Sequence, residues 1–466
     1  MIIWTSENLQ DALKVDVPSD INSNIVQFNS KDVKPGDLFI ALKSNGDGHD
    51  YVTEAIKNRN AAIAIVHQEK YRKKYPDKTI LVKDTYQALI KLANYKRLRS
   101  KAKFIAITGS IGKTTTKSIL GSFLSRISNC FVGRENFNNY LGVAINLASI
   151  SLDAEYAVFE IGMNNPGEIA VLSKFIKPDI AIITNIEPVH LGNFNSINEI
   201  AYEKSEIFSC MSNNGIAILN VDNSYFKLLQ DKFLKAKGKN RNIFSFGFSK
   251  NADAIISQYE VKNAKSKIIL SIMKQNLIVN TFLIGKHNAI NILSASLAFY
   301  ILTKKLEISS IEDFKPLKGR GQVLNIRSNK VILIDESYNA SPEATKSALM
   351  NLTYYTSSNI KRKIAILGDM LELGDKEIYY HKELANYIEV NKLVTKVITV
   401  GKLSVFTYNK LPLKLRMHHF DTTTLLLEKI NEIINDGDLI LCKASFGMKF
   451  NNIISYLTSI TSCSSF

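Results

Sequence analysis

Residues 104–117 read Phe-Ile-Ala-Ile-Thr-Gly-Ser-Ile-Gly-Lys-Thr-Thr-Thr-Lys, an apolar run that ends abruptly in two glycines, a lysine and three threonines. The run from Phe104 to Ile107 suits a buried parallel strand, and Lys113 to Arg126 carries Ile119, Leu120 and Phe123 at helical spacing. The turn between them is therefore expected at a helix N-terminus, where free backbone N–H groups and the positive end of the helix dipole converge on an anion. Gly109 and Gly112 would let the main chain approach phosphate oxygens that a Cβ would block. Lys113 is placed to neutralise the terminal phosphates, and Thr114 supplies a hydroxyl where such loops hold Mg²⁺. The common loop G-x-x-x-x-G-K-[ST] has a glycine where this chain has Ile107, so the pattern here is the shorter T-G-x-x-G-K-T-T. ATP is the expected ligand, with contacts from Thr108, Gly109, Ser110, Ile111, Gly112, Lys113, Thr114 and Thr115.

A chain of 466 residues with 45% hydrophobic content is long enough for two to four domains. The N-terminus Met1-Ile-Ile-Trp-Thr-Ser-Glu lacks a basic leader and an apolar h-region, and no apolar run has the length of a membrane span, so a cytoplasmic protein without membrane insertion is expected. Cys130, Cys210, Cys442 and Cys463 stand far apart with no C-x-x-C pair, which fits a reducing compartment and neither a disulfide framework nor a zinc site. The formal charge of +16 would attract anions. The lysines are scattered, however, and no stripe marks a nucleic-acid surface.

Along the chain, residues 1–98 read as mixed α/β, with a strand at Asp37 to Leu42 and helices at Tyr51 to Asn58 and Asp84 to Ser100. From 99 to 315, short apolar runs at Tyr156 to Ile161, Ile180 to Thr184 and Gly215 to Leu219 alternate with helical stretches, the pattern of a parallel sheet covered on both faces. From 316 to 466 the rhythm repeats, with strands at Val331 to Asp335, Ile364 to Gly368, Val397 to Gly401 and Leu439 to Cys442, as in a Rossmann-like domain. The fold class is thus α/β in three domains, joined by short, hinge-like connections.

Three further segments carry chemistry. Glu160-Ile-Gly-Met-Asn-Asn-Pro-Gly-Glu168 follows an apolar strand, and a carboxylate at a strand C-terminus beside a phosphate loop is placed to hold Mg²⁺. Ile183-Thr-Asn-Ile-Glu-Pro-Val-His-Leu191 also follows a strand and presents His190 on a loop. In the helical segment Ala201-Tyr-Glu-Lys-Ser-Glu-Ile207, Lys204 can face the same place.

Together with Asn136-Phe-Asn-Asn-Tyr-Leu-Gly142, these segments resemble the Mur ligase family in order and approximate spacing across nearly the whole chain. The resemblance implies that Thr114 and Glu160 hold one Mg²⁺, that His190 takes part in a second metal site, and that Lys204 matches a lysine that several relatives carbamylate. It gives Lys113, Glu160, His190 and Lys204 catalytic roles. Gly285-Lys-His-Asn-Ala-Ile-Asn291 and Gly319-Arg320 look like the family's adenine-side and phosphate-side elements, which adds Asn288, Asn291, Arg320 and Asp335 to the ATP contacts.

Ile334-Asp-Glu-Ser-Tyr-Asn-Ala-Ser-Pro342 and Leu367-Gly-Asp-Met-Leu-Glu-Leu-Gly374 resemble the branch of the family that adds D-alanyl-D-alanine to a UDP-MurNAc-tripeptide. Lys34 to Leu42 and Asp47-Gly-His-Asp-Tyr51 look like that branch's uridine-nucleotide-binding domain. On this resemblance the substrate contacts are Ser30, Phe39, Asp47, Asn138, Asn139, Tyr338 and Asn339, and a monomer is expected. Either meso-diaminopimelate or lysine is compatible as the third residue of the peptide. The chain departs from the branch at Asn29-Ser-Lys31, at Glu336 and Ser341, and at Lys443-Ala-Ser-Phe446, where K-G-S-R is usual. Two other readings are a different ATP-dependent amide ligase, such as a folylpolyglutamate synthase or cyanophycin-type enzyme, and a non-catalytic nucleotide-binding copy. Tyr338-Asn339 in place of the Ala-His of single-amino-acid ligases speaks against the first, and Lys113, Thr114, Glu160, His190 and Lys204 together speak against the second.

Overall fold

The computed structural model describes residues 2–43, 46–134, 136–189, 192–238, 242–262 and 264–462. Three sheets dominate them. A four-stranded parallel sheet of Val26–Gln27, Leu38–Ile40, Ile63–Val66 and Thr79–Leu81 forms the N-terminal domain. A nine-stranded sheet forms the central domain, and a six-stranded sheet that begins at Gln322 forms the C-terminal one.

In the central sheet the strand Lys103–Thr108 lies between Ile180–Ile183 and Tyr156–Glu160, parallel to both. Its side chains alternate between two cores, as the period-2 geometry of a strand requires. Phe104 and Ala106 face a cluster with Val143 and Phe159, while Ile105 and Ile107 face another with Leu120 and Ile292. The helix Lys113–Ser125 packs on the second face against Lys286–Thr303, with Phe123 and Phe299 in an edge-to-face contact at 5.7 Å. Such a contact adds about 1 kcal/mol beyond the area it buries. Because three neighbouring strands are parallel, the loops after Thr108, Glu160 and Ile183 leave the same edge of the sheet, which is where ligands bind in open α/β sheets.

Two expectations need correction. The alternation of strand and helix does not run on to residue 315: Ala254–Lys262, Lys265–Ile272 and Gln275–Thr281 form an antiparallel meander at one edge of the central sheet. Its alternating exposure, with one face on the core, is that of antiparallel strands. The expected helix from Tyr51 to Asn58 is a single 3₁₀ turn at Gly48–Tyr51 followed by a wide π turn at Glu54–Asn58.

The two interdomain joints also differ. Ile3, Trp4, Leu38 and Ile40 belong to the same apolar cluster as Phe104 and Val143, so the N-terminal and central domains share a core. The indole of Trp4 donates to the Ala148 carbonyl at 2.8 Å, and the guanidinium of Arg134 donates to the Val26 carbonyl and to Gln27 Oε1 at 2.6 Å. From the central domain, the C-terminal apolar cluster takes in Ile284, with Val261 and Ala264 on its rim. Among the described residues no helix is long and apolar enough to cross a membrane.

Candidate active site

A cavity of about 450 Å³ opens between the central and C-terminal domains, floored by the loop Ser110–Lys113. That loop is held from behind. Ser110 N–H donates to the Asn185 carbonyl at 3.0 Å and Ile111 N–H to Asn185 Oδ1 at 2.9 Å, while Thr184 Oγ1 donates to the Ile111 carbonyl at 2.6 Å. A Cβ at Gly109 would fall 1.9 Å from Thr184 Oγ1, and one at Gly112 2.3 Å from Asn291 Oδ1, and both glycines have positive φ. Only glycine fits either position.

Lys113 opens its helix with its ammonium folded back onto the Gly109 and Ser110 carbonyls at 2.8 and 3.3 Å. Burial lowers its pKa and Arg320 adds to the effect, against the opposing pull of Glu160. Glu160 ends its strand nearly buried. Burial would raise its carboxyl, but Lys113 and Lys117, with hydrogen bonds from Asn138 and Thr114, outweigh it and hold the group below the usual carboxylate value. Asn138 Nδ2 donates to Oε1 at 2.9 Å, whereas the buried Oε2 has no hydrogen-bond partner and lies 3.7 Å from Lys117 Nζ. Thr108 Oγ1, at the head of the same loop, is likewise buried without a partner. Oxygen atoms left unsatisfied beside a threonine hydroxyl and a phosphate loop are the donor set of a hard divalent cation. The residues present fit Mg²⁺.

Lys204 is 1% exposed, on the helix Ile197–Ser205. Its pKa falls well below the ordinary lysine value, mainly through burial and then through the Lys113 charge, with Glu203 opposing. The Glu203 carboxylate is itself taken by the N–H groups of Gly167 and Ile169 at 2.8 and 2.9 Å.

On the opposite wall the Arg320 guanidinium stacks 3.8 Å above the Tyr338 ring, and the Tyr338 hydroxyl donates to Asn136 Oδ1 of the central domain. Lys443 Nζ reaches Glu336 Oε2 at 3.3 Å and the Asn339 carbonyl at 3.0 Å, so the glutamate that departs from the family pattern is ion-paired. Phe446, where an arginine is usual, is 72% exposed and leans on Tyr338 with ring centroids 6.0 Å apart. Asn139 also lines the cavity but caps the helix Tyr140–Ala148, accepting from Gly142 N–H at 2.9 Å. Asn288 and Asn291 line it too; Asn288 donates to the Ile284 carbonyl at 2.8 Å, and Asn291 buttresses Gly112 and accepts from Thr116.

Several expected site residues stand elsewhere. Asp335 is behind the wall, its oxygens saturated by the N–H groups of Gly319 and Ser337 and the Ser337 hydroxyl, so it shapes the Gly319-Arg320 turn without facing the cavity. Phe39 is wholly buried in the N-terminal core. Asp47 caps its own turn and accepts from His49 and Gln68, and Ser30 is buried and donates to Glu54. None of these three lines the cleft. His190 lies outside the described residues, and among those described no three His, Cys, Asp or Glu side chains gather as a metal site. Lys117, His287, Glu187 and Lys443 were not singled out from sequence. Lys117 was legible, since it stands one helical turn after Lys113 on the same face.

A parallel sheet with a Gly-Lys-Thr loop at its carboxyl edge, facing a second α/β domain across a cleft lined by both charges, defines a phosphate-activating ligase architecture. Residues 107–299 match the Mur ligase middle domain and residues 319–446 match the Mur ligase glutamate ligase domain. The chain is 43% identical to the UDP-N-acetylmuramoyl-tripeptide--D-alanyl-D-alanine ligase of Rickettsia prowazekii, with 98% of this chain and 100% of that one covered. It is 32% identical to the Bacillus subtilis protein of the same name, covering 93% and 92%. In structure it is similar to MurF from Acinetobacter baumannii, with a TM-score of 0.80, 28% identity and coverage of 98% and 99%. It is also similar to the MurF ligase of Thermotoga maritima in complex with ADP, at 0.77, 25% and coverage of 95% and 99%. The chain belongs to the Mur ligase family.

Proposed function

We propose that this protein joins D-alanyl-D-alanine to the terminal carboxylate of UDP-MurNAc-tripeptide at the expense of ATP, through an acyl phosphate. The observation that carries this reading is the end-to-end similarity to relatives of that name, combined with a cleft that sets the phosphate loop opposite the Tyr338-Asn339 wall. Lys113 would leave the Gly109 and Ser110 carbonyls for the phosphates, and it and Arg320 would stabilise negative charge on the transferring phosphoryl group. Thr114 and Glu160 would hold Mg²⁺, which would supply positive charge to offset that of the phosphates. Asn138 keeps Glu160 oriented for that task. Interdomain walls that exclude water would protect the water-labile acyl phosphate.

Burial that lowers a lysine's pKa favours its nucleophilic amine form, and Lys204 is suited to add CO₂ at Nζ with loss of a proton, giving a carbamate whose negative charge faces Lys113. Activity lost in Lys204→Ala and partly restored by short carboxylic acids would support this; unaltered activity would exclude Lys204. His190 would contribute to a second metal site, and the cell compartment would be the cytoplasm, where ATP and the nucleotide precursor are available.

The test is phosphate release with ATP, Mg²⁺ and UDP-MurNAc-tripeptide, with and without D-Ala-D-Ala, and mass spectrometry of the product. Release that depends on the dipeptide and yields a UDP-pentapeptide mass is expected. Turnover with another amino acid or peptide in its place would keep the ligase chemistry and reassign the acceptor.

A further inference from the structure

We propose that the Glu187 carboxylate takes the proton from the ammonium of the acceptor dipeptide, so that the freed amine attacks the acyl phosphate; this rests on the reaction proposed above. An amine acceptor arrives as an ammonium at neutral pH and has no lone pair to give until a base removes a proton. The base must stand between the phosphate loop and the acceptor wall, and Glu187 is fixed there. Its N–H donates to Ser110 Oγ at 2.8 Å and its carbonyl accepts from that hydroxyl at 3.0 Å, so its main chain is bound to the phosphate loop. Its side chain lines the cleft, and Glu343 and Lys346, on the helix Pro342–Asn351 of the C-terminal domain, are the charges that face it.

Four other carboxylates of the cleft are engaged. Glu160 is held by Asn138 and Lys117, and Glu168 accepts from Asn164 N–H and Asn165 Nδ2 at 2.7 and 3.0 Å. Glu336 pairs with Lys443, and Glu343 with Lys346 at 2.8 Å. The Glu187 carboxylate has no hydrogen-bond or ion-pair partner among the described residues. Burial, and then the Glu343 charge, push its pKa up to about 7 against the opposing Lys346, in the range where a base works best at neutral pH. Glu343 also gives the arriving ammonium a second negative neighbour.

The step balances. One N–H bond of the ammonium breaks as an O–H bond forms on Glu187. The nitrogen lone pair then forms the C–N bond to the acyl carbon, and the C–O bond to phosphate breaks with its electrons on the phosphate. The surplus proton on nitrogen leaves with that phosphate.

The experiment compares wild type, Glu187→Gln and Glu187→Asp in dipeptide ligation at saturating substrates from about pH 5.5 to 9, with borohydride trapping of the acyl phosphate in parallel. Glu187→Gln is expected to lose about 10²-fold or more in kcat. It should also lose the rise in rate that wild type shows through about pH 7, and still form trappable acyl phosphate. Glu187→Asp should regain part of the rate and of the pH limb. Ligation by Glu187→Gln within about twofold of wild type, an unchanged pH limb, or equal loss of acyl phosphate and ligation would each overturn the proposal, as would failure of Glu187→Asp to restore anything. Wild type that forms no dipeptide-dependent product would instead overturn the reading of the reaction itself.

Discussion

The joint between the N-terminal and central domains and the joint between the central and C-terminal domains differ in how much apolar surface they share. The first is a fused core, in which Trp4 and Ile40 pack in one cluster with Phe104 and Val143 and the half-buried Arg134 guanidinium ties Val26, Gln27 and Ser149 together. The second combines a charged cleft, crossed by the Tyr338 hydroxyl on Asn136 and by Gly192 N–H on the Glu372 carbonyl at 3.3 Å, with a smaller apolar contact in which Ile284 joins the C-terminal cluster and Val261 and Ala264 rim it. Apolar contact is broken only at the cost of exposing that surface, so the joint that shares more of it resists opening more, whereas hydrogen bonds across a cleft exchange for water at little cost. The expectation of hinge-like connections thus fits the second joint better than the first. The N-terminal and central domains thus share one core that carries the phosphate loop, and the C-terminal domain faces that loop across the cleft.

The largest effect that separates the two joints is expected in the cleft. Lys113→Ala should lower dipeptide-dependent phosphate release by about 10³-fold, about 4 kcal/mol of transition-state stabilisation, while the exposed Lys43→Ala stays near wild type. Equal losses in the two variants would remove the phosphate loop from the chemistry. On the fused side, Arg134→Met removes three hydrogen bonds from a half-buried place and strands the Val26 carbonyl and Gln27 Oε1, and should cost about 3 kcal/mol of stability by urea denaturation. A cost under about 1 kcal/mol would mean that the N-terminal joint is as loose as the other.

Smaller changes sharpen the contrast. Tyr338→Phe removes one hydrogen bond across the cleft and should change stability by about 1 kcal/mol or less. It should raise KM for the acceptor more than for ATP, and a stability loss as large as that of Arg134→Met would contradict the comparison. The smallest effect lies inside the C-terminal domain. His381 is buried, accepts from Met370 N–H at Nε2 and donates from Nδ1 to the Glu377 carbonyl, and burial holds its pKa below 6.5. The unfolded chain takes up a proton below that pH and the folded one does not, so stability should fall as the pH drops through 6.5. The fall should reach at most about 1.4 kcal/mol per pH unit, and His381→Gln should flatten it. A melting temperature in the variant that still tracks wild type across this window would assign the dependence to other groups.

The phosphate loop, its strand and its helix were legible because their signals are local: an apolar run, two glycines and a Gly-Lys-Thr step lie within a dozen residues or so. The placement of Phe39, Asp47 and Asp335 was not. Each sits in or beside a motif, yet Phe39 fills a core and the two aspartates spend their oxygens on backbone and side-chain donors from the turns around them. A motif gives which residues recur together, and the fold decides which of them face a ligand and which hold the facing ones in place.

The sequence by itself determined the strand, turn and helix around Lys113, the parallel strands that flank them, and the family to which the chain belongs. Those properties follow from residue spacing and side-chain chemistry along the chain. The tertiary structure alone decided that Lys117 stands 3.7 Å from Glu160, that Lys204 is buried and that Glu187 faces Glu343 and Lys346 across the cleft. Burial and charge proximity are properties of chain segments far apart in sequence, and only their packing sets them.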